Sequence, residues 1–298
     1  MTKTTEDHTK YPPTNDLVFK KLFGEDKEDT KKALVFLINE IVGFKGTERI
    51  EKIRIMNPYT VSDLKKKRSI LDVKAIAENG VKYNVEMQVN KQSHYSARAL
   101  YYWGKLYTED LPERDNYDKL AKTIGIHILD FDIYEGFHLY KKHIMSYTDN
   151  ATGKSHKSFK NIEMHTIELP KLEKQFSNYD NIIKVIAAFL KDPEFIMKNR
   201  DKFNRKKIEE LERLSNNYNK LYFTKEEKEG LEERLKAERD ERSIRKTLVM
   251  DALAKGIERG EANKAKKMAI KMLNKNKSIE EIATFTDLTI EEINKLRK

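Results

Sequence analysis

The sequence contains no cysteine. This absence excludes disulfides and zinc ribbons, and it is typical of the reducing cytoplasm, where we expect this protein. Long apolar runs are absent as well, since the longest lies near Ile182 to Leu190 and is far too short to span a bilayer. We therefore expect no membrane partner. The opening MTKTTEDHTKYPP has no apolar core, so we expect no signal peptide.

Two signatures of common enzyme classes are also missing. The 7 histidines are scattered, without the H-x-x-x-H spacing of a helical zinc site. No G-x-x-x-x-G-K-[ST] pattern occurs, which argues against a P-loop ATPase. What the chain has instead is charge: 36% of its residues are charged, and the formal net charge is +10. This basic balance points to a polyanion such as nucleic acid or an acidic membrane surface, although solubility alone accounts for it equally well.

The pattern of the chain changes once, after Pro170, from alternating strands and helices to helices alone. We expect a disordered N-terminus over residues 1–13, an α/β domain over 14–170, a helical extension over 171–224, and a long charged helix with a helix-turn-helix-like tail over 225–298.

Helix and strand patterns alternate within residues 14–170. Thr14 or Asn15 can cap a first helix that ends at Gly24, and a second helix ends at Gly43. The other patterns predict strands near residues 50–56, 123–130, 137–147 and 162–169, and a helix over 92–109.

Residues 71–90, LDVKAIAENGVKYNVEMQVN, predict a hairpin in which each strand has one apolar and one polar face. A two-residue turn would pair Asp72 with Met87 and place it on the apolar face of its neighbour. A three-residue turn with Gly80 in the left-handed conformation pairs Asp72 with Glu86. Burial favours the second register, because a slip of one residue moves every side chain to the other face.

The facing carboxylates Asp72 and Glu86 then need compensation. Their Cβ atoms would be about 5 Å apart, and at an effective dielectric constant of about 20 the two charges repel by roughly 3 kcal/mol. A shared proton, a basic neighbour or a divalent cation such as Mg²⁺ would offset this repulsion. A metal ion there could activate water and polarise a phosphate. The alternative is a surface strand pair whose acids bind lysines.

Four segments in this order, TNDLVFKKLFG, LDVKA, YNVEMQ and ARALYYWGKLY, resemble the PD-(D/E)XK nucleases. The closest resemblance is to the Rpn group of recombination-promoting nucleases, also called putative PD-(D/E)XK transposases, from about Thr14 to Pro170. The resemblance implies an α/β fold with a PD-(D/E)XK restriction-endonuclease-like mixed sheet flanked by helices, followed here by an α-helical C-terminal arm. It also implies a DNA endonuclease that depends on Mg²⁺ or another divalent cation.

The resemblance implies a role for several polar residues. Asp72 and Glu86 match the metal-binding acids, and Asp16 occupies the place of an accessory acid. Gln88 stands where the broader superfamily has lysine, so it can orient water through hydrogen bonds but cannot supply a charge to the phosphate. Lys20 or Lys74 could supply that charge, although Lys74 is equally suited to pair with Asp72 or Glu86.

Two basic regions near the hairpin could contact DNA. Arg98, Tyr102 and Lys105 recur at helical spacing and could line a phosphate groove, although we expect most aromatics of this helix to pack in the core. The run Lys65, Lys66, Lys67 and Arg68 precedes the hairpin and could meet the DNA backbone or form a solvated loop.

The C-terminal segment lacks proline from Lys225 to about Lys275, and we expect a helix there with breaks at Gly256 and Gly260. Ser278 and Thr289 are each followed three residues later by a glutamate, which predicts two short capped helices. Their expected core is Ile282, Ala283, Leu288, Ile290, Ile293 and Leu296. A stripe of Lys264, Lys267, Lys271 and Lys275 could bind DNA, or these helices could mediate homo-oligomerisation.

The function that the sequence favours is metal-assisted hydrolysis of DNA phosphodiester bonds, with a link to DNA recombination or transposition implied by the resemblance. The alternative is a non-catalytic DNA-binding or interaction protein on a nuclease-like fold.

Overall fold

The structure is a computed structural model that describes residues 11–58, 72–91, 93–109, 111, 116–144, 147–148, 152, 155–156, 162–172 and 179–297. The chain forms two compact units, Met1–Gly230 and Leu231–Lys298.

A mixed sheet forms the centre of the first unit. The strands of the described residues are β1 Ile53–Ile55, β2 Asp72–Ala77, β3 Lys82–Gln88, β4 Thr123–Leu129, β5 Tyr140–Ile144, β6 Tyr147–Thr148, β7 Ser155–His156 and β8 Ile162–Glu168. Six of them make one sheet in the order β1-β2-β3-β4-β8-β5, and β6 pairs with β7 separately. The pairs β3–β4 and β4–β8 are parallel, whereas β1–β2, β2–β3 and β5–β8 are antiparallel. The predicted mixed α/β sheet is confirmed.

Helices flank this sheet and continue to the C-terminus. In the described residues they are α1 Asp16–Phe23, α2 Glu28–Val42, α3 Tyr95–Thr108, α4 Ile182–Lys191, α5 Phe195–Lys198, α6 Arg205–Asn219, α7 Lys225–Leu273, α8 Ile279–Thr286 and α9 Ile290–Lys295. The Asn15 side chain accepts hydrogen bonds from the first turn of α1, Gly24 ends α1, and Gly43 ends α2 in the left-handed conformation. The predicted ends of both helices are confirmed. No helix in the described part of the chain is long and apolar enough to cross a membrane.

The apolar face of the sheet is covered by α1 and α2. Val73, Val85 and Ile126 are fully buried on this face, and burial of each such side chain contributes roughly 1.5–3 kcal/mol. A Cβ at Gly24 would lie 3.2 Å from Cγ2 of Val73, so glycine lets α1 end tightly against β2. The helix that carries Asp16 is thereby fixed beside the strand that begins at Asp72.

The polar face of the sheet is covered by α3. The indole nitrogen of Trp103 donates a hydrogen bond to the carbonyl of Thr123 on β4, at 2.9 Å. Nζ of Lys82 on β3 donates to the carbonyl of Leu106, at 3.2 Å. These two bonds pair buried polar groups of the helix with groups of the sheet, and they fix α3 across β3 and β4.

The second unit contains most of α7, and this helix runs without interruption through Gly256 and Gly260. The predicted breaks at these glycines are therefore wrong. A glycine inside a helix costs only about 1 kcal/mol relative to alanine, and the residues around both positions are mostly alanine, glutamate, lysine and arginine, which favour helix. With 49 residues the helix is about 75 Å long.

The two tail helices begin as the sequence predicts. Ser278 caps α8 and accepts a hydrogen bond from the Glu281 backbone, and Thr289 forms a full capping box with Glu292 at the start of α9. The small core of the tail is Ala269, Ile282 and Ile293, with Met272, Leu273, Ile279, Ala283, Leu288 and Leu296 packed around it. Ile290 was expected in this core, but it is 53% exposed. The cluster uses only the second half of α9, so the first residue of that helix lies outside it.

Candidate active site

The turn of the β2–β3 hairpin sets the geometry of the site. The backbone NH of Ala77 donates to the Val81 carbonyl at 3.0 Å, and the NH of Gly80 donates to the Ala77 carbonyl at 2.9 Å. Gly80 has a φ of +79°, which favours glycine there. The resulting register pairs Asp72 with Glu86. The predicted three-residue turn and its register are both confirmed.

The carboxylate of Glu86 lies at the centre of the site and is 4% exposed. Its Oε1 accepts hydrogen bonds from Nε2 of Gln88 at 2.7 Å and from Nη2 of Arg98 at 3.1 Å. Its Oε2 lies 3.4 Å from Nδ1 of His127. Groups from β3, α3 and β4 therefore converge on one buried carboxylate, and two of the predicted site residues, Gln88 and Arg98, contact it directly.

These contacts determine the charge of Glu86. Burial by itself raises the pKa of Glu86, but the hydrogen bond and charge of His127, the charge of Arg98 and the hydrogen bond from Gln88 lower it by more. The pKa therefore lies below its ordinary value, and the group is ionised at neutral pH. An ionised carboxylate is the kind of oxygen ligand that a hard divalent cation prefers.

His127 and Tyr95 are site residues that the sequence reading missed. The Tyr95 hydroxyl is hydrogen-bonded to Nδ1 of His127 at 3.0 Å, and both side chains are buried. Nε2 of His127 has no hydrogen-bond partner among the described residues, and it lies so close to Gly125 that a Cβ there would be 3.0 Å away. The sequence feature that could have indicated His127 is a histidine inside the apolar run TIGIHIL. Its meaning depends on the parallel register that pairs His127 with Glu86.

Three further predicted site residues lie near the hairpin. Lys74 is on β2, and Asp16 and Lys20 are on α1. Nζ of Lys74 is 3.3 Å from the carboxylate of Glu109, at the end of α3, so this lysine has a partner that was not predicted. Asp16 and Lys20 are both half-buried on α1, one turn apart. Oδ1 of Asp16 is shielded from solvent. The helix that carries them packs against β2.

The other predicted DNA-binding residues are placed as follows. Lys105 is exposed on α3. Lys264, Lys267 and Lys271 are exposed on the part of α7 that belongs to the second unit. The basic run Lys65, Lys66, Lys67 and Arg68 lies outside the described residues.

The aromatic residues of α3 are less buried than expected. Trp103 is buried and Tyr107 stacks on it, with ring centroids 5.0 Å apart. Tyr101 is 65% exposed and Tyr102 is 41% exposed, so the expectation that most of these aromatics pack in the core is wrong for this pair. The buried side of α3 consists of Tyr95, Ala99, Trp103 and Leu106. Tyr101 is out of step with the three- and four-residue spacing of this side. Tyr102 keeps that spacing but lies at the edge of the buried side, and it is the less exposed of the two.

The residue types that the register pairs at the hairpin are those that Mg²⁺ or a similar ion prefers. Mg²⁺ is usually bound through one or two carboxylates and keeps several waters. Glu86 is buried and ionised, and the register places a second acidic residue, Asp72, opposite it. Among the described residues, no group of three or more His, Cys, Asp or Glu side chains is arranged to hold an ion, so the fit rests on oxygen ligands from the hairpin.

The comparison with protein families agrees with this geometry. A family model described as PD-(D/E)XK nuclease family transposase matches residues 13–247. The match includes the hairpin and α3 and continues beyond Pro170, where the resemblance was expected to end, into α7. Searches of curated proteins and of solved structures gave no significant match. Since the family model covers most of the chain, the resemblance read from the four segments is confirmed: the chain belongs to the PD-(D/E)XK nuclease family transposases.

Proposed function

We propose that the protein is a DNA endonuclease that hydrolyses phosphodiester bonds with the help of a divalent cation, in the service of DNA recombination or transposition. The observation that carries the proposal is the buried Glu86 paired in register with Asp72, where its neighbours hold the pKa of Glu86 below its ordinary value. The family supports a nuclease-like function. The net charge of +10 suits a DNA substrate, and the lack of cysteine suits the cytoplasm.

Asp72 and Glu86 would hold Mg²⁺ or a related ion, with Asp16 as an accessory ligand. When bound, the ion supplies a Lewis acid that polarises the phosphate and lowers the pKa of a water molecule. Gln88 fixes Oε1 of Glu86 through its amide nitrogen and would orient the attacking water. His127 contacts the other oxygen of Glu86 and is itself hydrogen-bonded to Tyr95, as outer-shell residues commonly are around metal ligands.

The positive charge that the superfamily obtains from its motif lysine must come from another residue. Lys74 is less suited than its sequence position indicates, because its ammonium group is held by Glu109. Arg98 lies 3.1 Å from Glu86 and is 30% exposed, so it can reach both the carboxylate and a phosphate bound beside it. We assign the phosphate contact to Arg98, with Lys20 on α1 as a second candidate.

The test is to replace Asp72, which faces Glu86 in the register. The purified wild-type protein should nick plasmid DNA in Mg²⁺ or Mn²⁺, and the nicking should stop when EDTA is added. Asp72→Asn should bind the ion more weakly in a calorimetric titration and should nick at least about a hundredfold more slowly. The matched control is Asp118→Asn, at an exposed position in a short turn, and it should behave like wild type. Equal nicking by wild type and Asp72→Asn would overturn the mechanism.

A second function is favoured by one feature of the same site. Arg98 and Gln88 both occupy Oε1 of Glu86, so this carboxylate is satisfied without an ion. This arrangement would also suit a DNA-binding or interaction protein that has lost catalysis. Such a protein would bind DNA and take up no Mg²⁺ or Mn²⁺ in the titration.

We also propose that two copies of the chain associate through α7. In the second unit this helix exposes large apolar side chains over nearly four turns. Each is more than half exposed: Ile244, Leu248, Val249, Met250, Leu253 and Ile257. An exposed apolar patch of this kind marks an interaction site. Light scattering of Leu248→Glu/Leu253→Glu should show a smaller mass than wild type.

A further inference from the structure

The exposed face of α3 carries two tyrosines between two cations. Arg98, Tyr101, Tyr102 and Lys105 are spaced by three, four and seven residues, so they share one face of the helix. Tyr101 is 65% exposed and Tyr102 is 41% exposed. Their ring centroids are 5.3 Å apart in an edge-to-face arrangement. The guanidinium of Arg98 lies over the Tyr102 ring, 5.5 Å from its centroid.

This surface is continuous with the candidate active site through Arg98. Nη2 of Arg98 donates to Oε1 of Glu86 at 3.1 Å, while the same guanidinium lies over Tyr102. The exposed rings therefore begin one side chain away from the carboxylate that would hold the metal ion. A nucleic-acid strand whose phosphate reaches Arg98 would bring its neighbouring bases to the tyrosines.

The charge of the surface matches a nucleic acid. Lys105 is exposed, and Arg98 is partly exposed at the other end of the stripe. The acid that follows on this face, Glu109, lies 3.3 Å from Nζ of Lys74, which offsets its charge. Grooves that track a single strand combine such cations with aromatic rings on which bases stack.

We propose that α3 is a platform for unpaired bases, so that the preferred DNA of this protein is single-stranded or has a single-stranded segment beside the cleavage point. The paired bases of a duplex are stacked on one another, and their faces are closed to protein side chains. Unpaired bases offer both faces to Tyr101 and Tyr102 while their phosphates contact Arg98 and Lys105. The link to cleavage rests on the proposed nuclease function, but the binding preference does not.

The test measures binding in EDTA, where metal-dependent cutting cannot occur. Fluorescence anisotropy compares a labelled single-stranded oligonucleotide with the duplex of the same sequence. Tyr101→Ala/Tyr102→Ala should lose roughly tenfold or more of its affinity for the single strand and far less for the duplex. Tyr101→Phe/Tyr102→Phe keeps both rings and should bind like wild type. The matched control is Tyr222→Ala, because Tyr222 is also 65% exposed, and it should change neither affinity.

Other outcomes overturn the proposal. Equal losses on single strand and duplex would show that the tyrosines do not read unpaired bases. If the alanine variant keeps its affinity for both DNAs, this face of α3 does not bind DNA and would bind another partner, such as a protein. A loss in the phenylalanine variant as large as in the alanine variant would point to the hydroxyl groups instead of stacking. Thermal unfolding of each variant checks the fold, which should be unaffected because both rings lie outside the core.

The same assay separates this inference from the nuclease proposal. Glu86→Gln should keep the full preference for the single strand in EDTA, whether or not the wild type cuts DNA. If the wild type cuts in Mg²⁺, it should cut a gapped duplex faster than an intact one. Tyr101→Ala/Tyr102→Ala should lose most of that difference while still cutting. Failure of cutting with an intact binding preference would overturn the nuclease function alone.

Discussion

Two buried glutamates lie on opposite faces of the same sheet, Glu86 on β3 and Glu163 on β8. Each contacts a histidine whose ring is hydrogen-bonded to a tyrosine hydroxyl. The two sets are Glu86, His127 and Tyr95, and Glu163, His165 and Tyr140. The parallel registers pair Val85 with Ile126 and Ile126 with His165, so the second set faces away from Glu86. Residue types alone do not tell the two apart.

The charge around Glu163 is already more than balanced. Nζ of Lys142 lies 2.6 Å from its Oε1, and Nζ of Lys122 lies 2.7 Å from its Oε2. Burial raises the pKa of Glu163, but the hydrogen bonds from His165, Lys122 and Lys142 lower it by more, so the pKa lies far below its ordinary value. One negative charge between two positive charges leaves no demand for a metal ion.

The charge around Glu86 is different. Among the described residues, a single arginine, Arg98, contacts its carboxylate, and the register adds a second acid, Asp72. Two lysines contact Glu163, whereas Arg98 and the His127 ring contact Glu86, so a divalent cation beside Glu86 and Asp72 would meet less positive charge. The comparison teaches that the balance of charge, more than the set of residue types, marks the candidate metal site.

Replacing each glutamate by glutamine tests the comparison most strongly. Loss of an outer-shell partner typically costs 10–100-fold in metal affinity or activity, so Glu86→Gln, which removes a proposed ligand, should slow metal-dependent nicking by more than roughly a hundredfold. Glu163→Gln should cut at the wild-type rate. The measurement is the initial rate of plasmid nicking in Mg²⁺ or Mn²⁺. If Glu163→Gln loses as much activity as Glu86→Gln, charge balance does not mark the site.

Replacing the two histidines should affect metal binding in the same order, with His127 the more sensitive position, but by a smaller factor than for the glutamates. His127→Ala removes the group at Oε2 of Glu86 and should lower metal affinity by roughly 10–100-fold, as outer-shell substitutions do. His127→Asn places an amide donor near the position of Nδ1 and should recover part of that loss. His165→Asn should leave metal binding unchanged. Calorimetric titration without DNA gives all three affinities, and a purely structural role for His127 would leave them equal.

The parts of the site that the sequence predicted depend on local rules. Turn chemistry at Gly80 and the alternation of apolar residues fixed the hairpin register, so the pairing of Asp72 with Glu86 followed. The caps at Asn15, Ser278 and Thr289 were predictable for the same reason, since each is decided within a few residues.

The parts that it missed depend on contacts between distant segments. His127 lies in the site only because β4 pairs in parallel with β3. The residues around His127 in the sequence do not predict that pairing. The exposure of Tyr102 depends on which side of α3 meets the sheet. The continuity of α7 through Gly256 could not be read from the glycine alone, because the surrounding helix formers outweigh its preference.

The cluster around Glu163 should contribute to stability instead of activity. Its folded pKa is depressed, so its stabilising effect is present above the unfolded pKa and is lost as the pH falls through the folded pKa. At neutral pH, Glu163→Gln should lower the free energy of unfolding by about 1–3 kcal/mol, typical of hydrogen bonds to a charged group. The difference from wild type should shrink as the pH falls below the ordinary glutamate pKa of about 4.3.

Urea unfolding at neutral and acid pH measures this dependence. The exposed Glu48→Gln is the control, and its unfolding free energy should stay within about 0.5 kcal/mol of wild type at both pH values. A difference for Glu163→Gln that grows as the pH falls would contradict the depressed pKa and the structural role of the cluster.

The smallest expected effect belongs to Arg98, which partly balances Glu86 in the way that the lysines balance Glu163. Arg98→Gln removes a positive charge 3.1 Å from the proposed ligand oxygen. Metal affinity in the absence of DNA should therefore rise several-fold, because a cation no longer repels the ion. DNA affinity in EDTA should fall, and the slope of log K against log salt should decrease by about 1, as for one lost phosphate contact. Lys105→Gln is the matched control, since it should give a similar change in salt slope and leave metal affinity unchanged. If Arg98→Gln instead weakens metal binding, Arg98 holds Glu86 in position, and charge balance is not what separates the two glutamates.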